Sequence, residues 1–251
     1  MLNKFFKKKS SSKSALQKKT TDNENIIYTD EEFLAFYELC KPFTMTSIDR
    51  QYSLYSSIVY IIKNNIEGDF VECGVWKGGS SMMIALVLNK YNIRDRKIYM
   101  YDTYEGMSEP DDNDKDFKGL AAKKQLELSS KEQQDSVWCY SSLQEVKNNL
   151  ASTKYNLDNI NFIKGKVEDT IPGKIPDTAI SLLRLDTDWH ASTRHELEYL
   201  YPLLCRGGVL IIDDYGHWQG CRKAVDEYFL KNNINLLLNV IDYTGRVAIK
   251  Y

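Results

Sequence analysis

Three features of the sequence predict an α/β fold built on a mostly parallel sheet. Short, nearly continuous apolar runs alternate with stretches of helical length, as expected of strands buried on both faces by flanking helices. Most of these runs end in acids or glycines, and open α/β sheets bind their ligands beyond the carboxyl ends of the strands. The chain closes with two strand-like segments joined by "YTG", which predicts a final antiparallel hairpin.

The elements can be placed in order. "YTDEEFLAFYELCKPF" offers Thr29 or Asp30 as an N-cap ahead of helical apolar spacing, and Pro42 stops the helix. "TSIDRQYSLYSSIVYIIKNNIEG" predicts a longer helix closed near Gly68. Then follow a strand "DFVECGV", a helix "GGSSMMIALVLNKYN", and strands "KIYMYDT", "INFIKGK" and "ISLLRLD". A helix "TRHELEYLYPLL", a strand "GGVLIIDDY" and a helix "CRKAVDEYFLKNN" lead to the hairpin "INLLLNVID" and "RVAIKY". Between Gly106 and about Leu157 runs a polar, charge-rich segment with a helix expected in its second half, read as a mobile lid over the site. Its "DDNDKD" has the acid spacing of a calcium loop, but Phe117 stands where glycine is needed and Lys123 where glutamate is.

A chain of 251 residues with 43% hydrophobic content buries one full core. We expect three parts: a disordered basic tail over 1–27, a helical lid over 28–67 and a catalytic domain over 68–251. The tail carries Lys4, Lys7, Lys8, Lys9, Lys13, Lys18 and Lys19 beside Phe5 and Phe6. It reads as a solvated arm, or alternatively as a weak anchor on an anionic membrane, the only membrane contact expected. Thirty-three basic against 35 acidic residues give no field to attract nucleic acid. Cysteines 40, 73, 139, 205 and 221 form no CxxC or Cys/His cluster, so reduced thiols in a cytoplasmic protein are expected. No apolar run is long enough to span a membrane, and the start lacks the apolar core of a signal peptide. A homo-oligomer is the expected assembly.

The chemistry is written at the strand ends. In "VECGVWKGGSS", Gly74, Gly78 and Gly79 permit a tight turn and close approach to a ligand. Glu72 lies two residues before the first glycine, where it would repel a pyrophosphate but attract an amino group. S-adenosylmethionine has that amino group and no phosphate. Asp102, closing "KIYMYD", stands where nucleoside-binding sheets hold ribose hydroxyls, or caps a helix. Glu168 and Asp169 face the adenine or cap the next turn.

Two further runs, "LLRLDTDWHAST" and "GGVLIIDDYG", end in paired acids. Asp186, Asp213 and Asp214 then converge, a costly arrangement that Mg²⁺ would relieve while leaving positions for substrate oxygens. The competing reading pairs these acids with Arg184, Arg194 or Arg222. A hydroxyl held there would lose its proton to one of the acids or to His190, unless that imidazole simply packs beside Trp189. Asp188 points to the same side as Asp186 if the strand continues.

At "TMTSIDRQYSL", "GDFVECGVWKGGSS", "YDTYEGM", "LRLDTDWHAST" and "LYPLLCRGGVLIIDDYGHWQGCRKAVDEYF" the sequence resembles the macrocin O-methyltransferase family, from Tyr28 to the C-terminus. That resemblance implies a Rossmann-like class I methyltransferase fold: a mostly parallel seven-stranded sheet with a C-terminal hairpin and an N-terminal helical lid. It implies methyl transfer from S-adenosylmethionine to a hydroxyl of a sugar or glycosylated acceptor, assisted by Mg²⁺. Cofactor contacts carry over to Glu72, Gly74, Asp102 and Thr103, with Thr44 and Met45 in the lid, and metal ligands to Asp186, Asp213 and Asp214, with Asp186 the favoured base. Thr187 and His190 depart from the Gly and Tyr that members often carry there. A non-sugar hydroxyl, a nicotinamide-dependent oxidoreductase and a non-catalytic binding module are the alternatives.

Overall fold

The computed structural model describes residues 26–131, 133 and 136–251. All but the last two residues of the expected basic tail lie outside them. Those two, Ile26 and Ile27, open a short 3₁₀ turn.

Seven strands form one sheet in the order β3-β2-β1-β4-β5-β7-β6. β1 (Asp69–Cys73), β2 (Ile98–Asp102), β3 (Ile160–Lys164), β4 (Ile180–Leu185) and β5 (Leu204–Ile212) are parallel. β7 (Arg246–Ile249) runs antiparallel to β5, and β6 (Asn239–Val240) antiparallel to β7. The order reverses beside β1, which opens a crevice above β1 and β4.

Side chains alternate across the sheet, so each strand feeds two cores. Phe70, Ile98, Met100, Leu182, Val209 and Ile211 face one side, covered by α1 (Glu31–Cys40), α2 (Ile48–Lys63), α3 (Gly79–Lys90) and α5 (Leu143–Ser152). Val71, Tyr101, Leu183, Leu185, Leu210 and Ile212 face the other, with α4 (Ala122–Glu127), α6 (Val167–Thr170), α7 (His190–Tyr199) and α8 (Gln219–Lys231). The helices over 28–67 are part of the first core. Phe33, Leu54, Ile58 and Ile61 are fully buried there, because α1 and α2 present apolar faces to α3 and the sheet.

Local chemistry settles several boundaries. Asp30, rather than Thr29, caps α1, accepting the Phe33 N–H at 2.9 Å. Helix α7 starts at His190, three residues before the expected Thr193, because the Asp114 carboxylate accepts the His190 N–H at 2.8 Å from a distant loop. The strand expected over 234–242 shrinks to Asn239–Val240. Ile234, Leu236 and Leu238 do alternate, but they pack on the second core without joining the ladder.

The segment expected to be a mobile lid is pinned in its first half. Asp116 bridges to Trp218, the Gln219 N–H donates to Lys115 O at 2.8 Å, and Trp189 Nε1 donates to Ser108 O at 3.0 Å. Asp114 and Asp116 spend their carboxylates on backbone N–H groups, as in loop capping rather than cation binding.

Candidate active site

A cavity of about 540 Å³ opens beyond the carboxyl ends of the parallel strands. The backbone bonds Gly74 N to Tyr101 O (2.9 Å), Asp186 N to Cys73 O (2.8 Å) and Asp213 N to Leu185 O (2.9 Å) prolong the ladders past the strand ends. Gly74 has φ +83°, and a Cβ there would stand 1.9 Å from Asp186 O. Only glycine lets the two strand ends approach so closely.

The half of the cavity above β1, β2 and β3 is lined by Gly74, Trp76, Asp102, Thr103, Gly165 and Glu168, with Thr44 and Met45 arriving from the turn before α2. Asp169, also expected here, is outside the lining. Asp102 accepts N–H bonds from Val75 at 2.7 Å, Trp76 at 3.2 Å and Tyr104 at 2.6 Å. Burial raises its pKa, and those backbone bonds oppose the rise. The residue thus braces the glycine turn as well as facing the cavity.

Glu72 lines the cavity but is only 1% exposed, and both of its carboxylate oxygens are engaged by protein donors. One oxygen accepts Arg184 Nη1 at 2.7 Å and the other accepts the Ser81 hydroxyl. The cause is register: Glu72 and Arg184 are direct partners across β1 and β4 and face the same side. Arg184 also contacts Asp186 Oδ2 at 2.7 Å and Asp213 Oδ1 at 2.8 Å.

Above β4 and β5 the acids sort into two groups. Asp213 is gripped by Arg184 and Arg50, the latter reaching over from α2. Arg50 is fixed in turn by Asp242 at 3.1 Å, which also accepts the Ser47 hydroxyl at 2.7 Å. Asp186, Asp188 and Asp214 instead converge, each with an oxygen within 4.8 Å of the others. The structure therefore brings Asp188 into the place expected of Asp213. The reason is local: Asp188 has φ +67°, so the chain leaves the extended path and folds its carboxylate back towards Asp214.

Burial pushes Asp186 and Asp214 well above the usual carboxylate range, with neighbouring acids adding to the rise. Burial and the same neighbours push Asp188 up to about 7. Among the described residues, Asp214 Oδ2 is buried without a hydrogen-bond partner. Three convergent carboxylates with one orphaned oxygen are a donor set suited to a hard divalent cation.

His190 is not part of this cluster. Its Nε2 lies 3.1 Å from Glu227 Oε2 on α8, and it is outside the cavity lining. His217 lines the cavity instead, its Nδ1 3.1 Å from the Tyr243 hydroxyl and its pKa lowered by burial. Sequence reasoning missed both His217 and Arg50. Arg50 left one signal, an isolated cation opening a helix in a chain whose strands end in acids.

The model of the family described as "Macrocin-O-methyltransferase (TylF)" matches residues 5–249. The chain belongs to that family. Demethyldecarbamoylnovobiocin O-methyltransferase of Streptomyces niveus is 33% identical over 202 residues, 80% of this chain and 73% of that protein. A tetracenomycin-C rhamnosyl 4'-O-methyltransferase of Streptomyces olivaceus is 33% identical over 204 residues, with the same shares. Among solved structures, the O-methyltransferase NovP superposes with a TM-score of 0.72 at 30% identity, covering 83% of this chain and 82% of that one. This member of the macrocin O-methyltransferase family is accordingly an S-adenosylmethionine-dependent O-methyltransferase with the class I fold.

Proposed function

We propose that the protein methylates a hydroxyl of a sugar ring, free or within a glycosylated molecule, using S-adenosylmethionine and Mg²⁺. The convergence of Asp186, Asp188 and Asp214 beside the cofactor half of the cavity carries this reading. The rhamnosyl acceptor in the name of the Streptomyces olivaceus relative supports the choice of a sugar.

The β1–β2–β3 half suits the cofactor. Asp102 faces the ribose while bracing the Val75 and Trp76 amides, Glu168 and Thr103 line the nucleoside side, and Thr44 and Met45 close over it. Asp186, Asp188 and Asp214 would hold Mg²⁺. When bound, the ion supplies a Lewis acid that positions and acidifies a hydroxyl. Asp213 and Glu72, neutralised by Arg184 and Arg50, keep the acid cluster in place without joining it. Asp186 accepts the hydroxyl proton, and the resulting oxygen displaces the methyl from sulfonium in line.

Transfer of a labelled methyl group from S-adenosylmethionine to methyl glycosides, nucleoside-diphosphate sugars and catechol tests this assignment. We expect glycoside or nucleotide-sugar turnover. Methylation of catechol alone would move the acceptor to a non-sugar hydroxyl.

A further inference from the structure

Helix α7 carries a carboxyl group into the interior. Glu196 is fully buried on that helix, and its one hydrogen bond among the described residues comes from the Thr187 hydroxyl, which donates to Oε1 at 2.8 Å. Oε2 is buried without a partner among the described residues. A buried acid with half its carboxyl unmatched weakens a core that an apolar side chain would fill without that cost. Burial pushes the Glu196 carboxyl well above the usual carboxylate range, with Glu168, Asp186 and Asp214 adding to the rise and the Thr187 hydroxyl opposing it. A carboxamide in its place would therefore be a close electrostatic match.

Thr187 stands between Asp186 and Asp188 and lines the cavity. Its backbone is held as well as its side chain. The Trp189 N–H donates to Thr187 O at 2.7 Å, closing a tight turn around Asp188, and the Ser192 hydroxyl reaches the same oxygen at 3.4 Å. At φ +67° Asp188 occupies a backbone region that a residue other than glycine keeps only where its surroundings hold it there. Trp189 at the N-cap of α7, with Ser192 and Glu196 inside the helix, thus clamp Thr187. Of the three, Glu196 is the contact that turn geometry does not supply, since it comes from nine residues along the chain.

We propose that the Thr187–Glu196 hydrogen bond is a positioning device for the acid cluster, fixing the turn that presents Asp186 and Asp188 and so setting how tightly a divalent cation is held. The proposal rests on the metal reading above. Asp186, Asp188 and Asp214 repel one another when ionised, and a free turn would let Asp188 swing away and relax its backbone. Anchoring Thr187 to a buried helical residue gathers the ligands during folding, so less of the binding energy goes into bringing them together. Glu196 touches neither cation nor substrate in this arrangement; it acts through Thr187.

The test titrates Mn²⁺ into the full chain at one fixed pH and reads free and bound ion by electron paramagnetic resonance, with S-adenosylhomocysteine affinity followed by calorimetry in the same variants. Thr187→Val and Glu196→Leu should each weaken Mn²⁺ binding about 10- to 100-fold, the loss typical when a partner behind the metal ligands is removed, while S-adenosylhomocysteine affinity is unchanged. Thr187→Ser and Glu196→Gln, which keep the donor and the acceptor, should retain near-parental Mn²⁺ affinity. The double variant Thr187→Val/Glu196→Leu should lose no more than either single one, as partners in one contact do. Parental Mn²⁺ affinity in Thr187→Val overturns the device and leaves the metal reading standing, and so do losses that add in the double variant. Loss of Mn²⁺ and S-adenosylhomocysteine binding together, rescued by neither conservative variant, shows structural damage and also overturns it. If Glu196→Leu does not fold, Thr187→Val against Thr187→Ser decides alone. A parent chain that takes up no Mn²⁺ overturns the metal reading itself, and the proposal with it.

Discussion

Arg184 stands on β4 among Glu72, Asp186 and Asp213, in an interior where unpaired carboxylates would be strongly penalised. Breaking a buried ion pair by removing one partner typically costs about 3 to 5 kcal/mol. Arg184→Met should therefore lose stability in that range by denaturant unfolding, and Arg184→Lys less, since it keeps the charge but not the fork. A loss below about 1 kcal/mol for Arg184→Met would mean that the acids it joins are not held by it. The convergent acids have separable roles at the same scale. Asp186→Asn removes the assigned base and should stay about 10²- to 10⁴-fold slow even at saturating Mg²⁺. Asp188→Asn should largely recover there, because excess ion can restore occupancy but not a base. Recovery by Asp186→Asn with persistent loss in Asp188→Asn would transfer the proton to Asp188. Asp186 and Asp214 were legible in the sequence because each closes an apolar run. The exchange of Asp213 for Asp188 was not, since it depends on the Asp188 backbone at φ +67° and on two arginines whose reach no spacing reveals.

The turn from β1 into α3 joins the cofactor half of the site to the acid half. Gly74 at φ +83° lies against Asp186 O, so Gly74→Ala must strain the backbone and push the two strand ends apart. Strain of this kind costs on the order of 1 to 3 kcal/mol before any clash is counted. We expect Gly74→Ala to lower the melting temperature and to weaken S-adenosylhomocysteine binding by calorimetry at least tenfold; parental affinity would remove this turn from the cofactor site. The turn was visible in the sequence as glycines after a strand, as were the five parallel strands, whose apolar residues feed both cores. Elements that depend on distant partners were less visible. Helix α7 begins early because Asp114 caps it from another loop, and that start turns His190 towards Glu227 and out of the site. Residues 234–238 have a strand's alternation, yet a core that accepts Ile234, Leu236 and Leu238 does not require them to pair.

Over the whole molecule, the site joins segments far apart in the chain. Arg50 from α2 meets Asp213 after β5 and Asp242 in the hairpin turn, so the N-terminal helices, the sheet and the C-terminal hairpin share one ionic network. Among the described residues, Arg184 pairs with Glu72, Asp186 and Asp213, and Arg50 with Asp213 and Asp242. Asp188 and Asp214 have no salt bridge among the described residues and Asp186 shares Arg184 with two other acids, which is the physical reason for assigning a cation to the three that converge. Methyl transfer from labelled S-adenosylmethionine to the best sugar acceptor, measured in excess chelator and again as Mg²⁺ is restored, examines that assignment most directly, with S-adenosylhomocysteine affinity followed by calorimetry in the same samples. The account predicts that turnover disappears with chelator and returns with Mg²⁺ while cofactor affinity changes little; full turnover in excess chelator would contradict it.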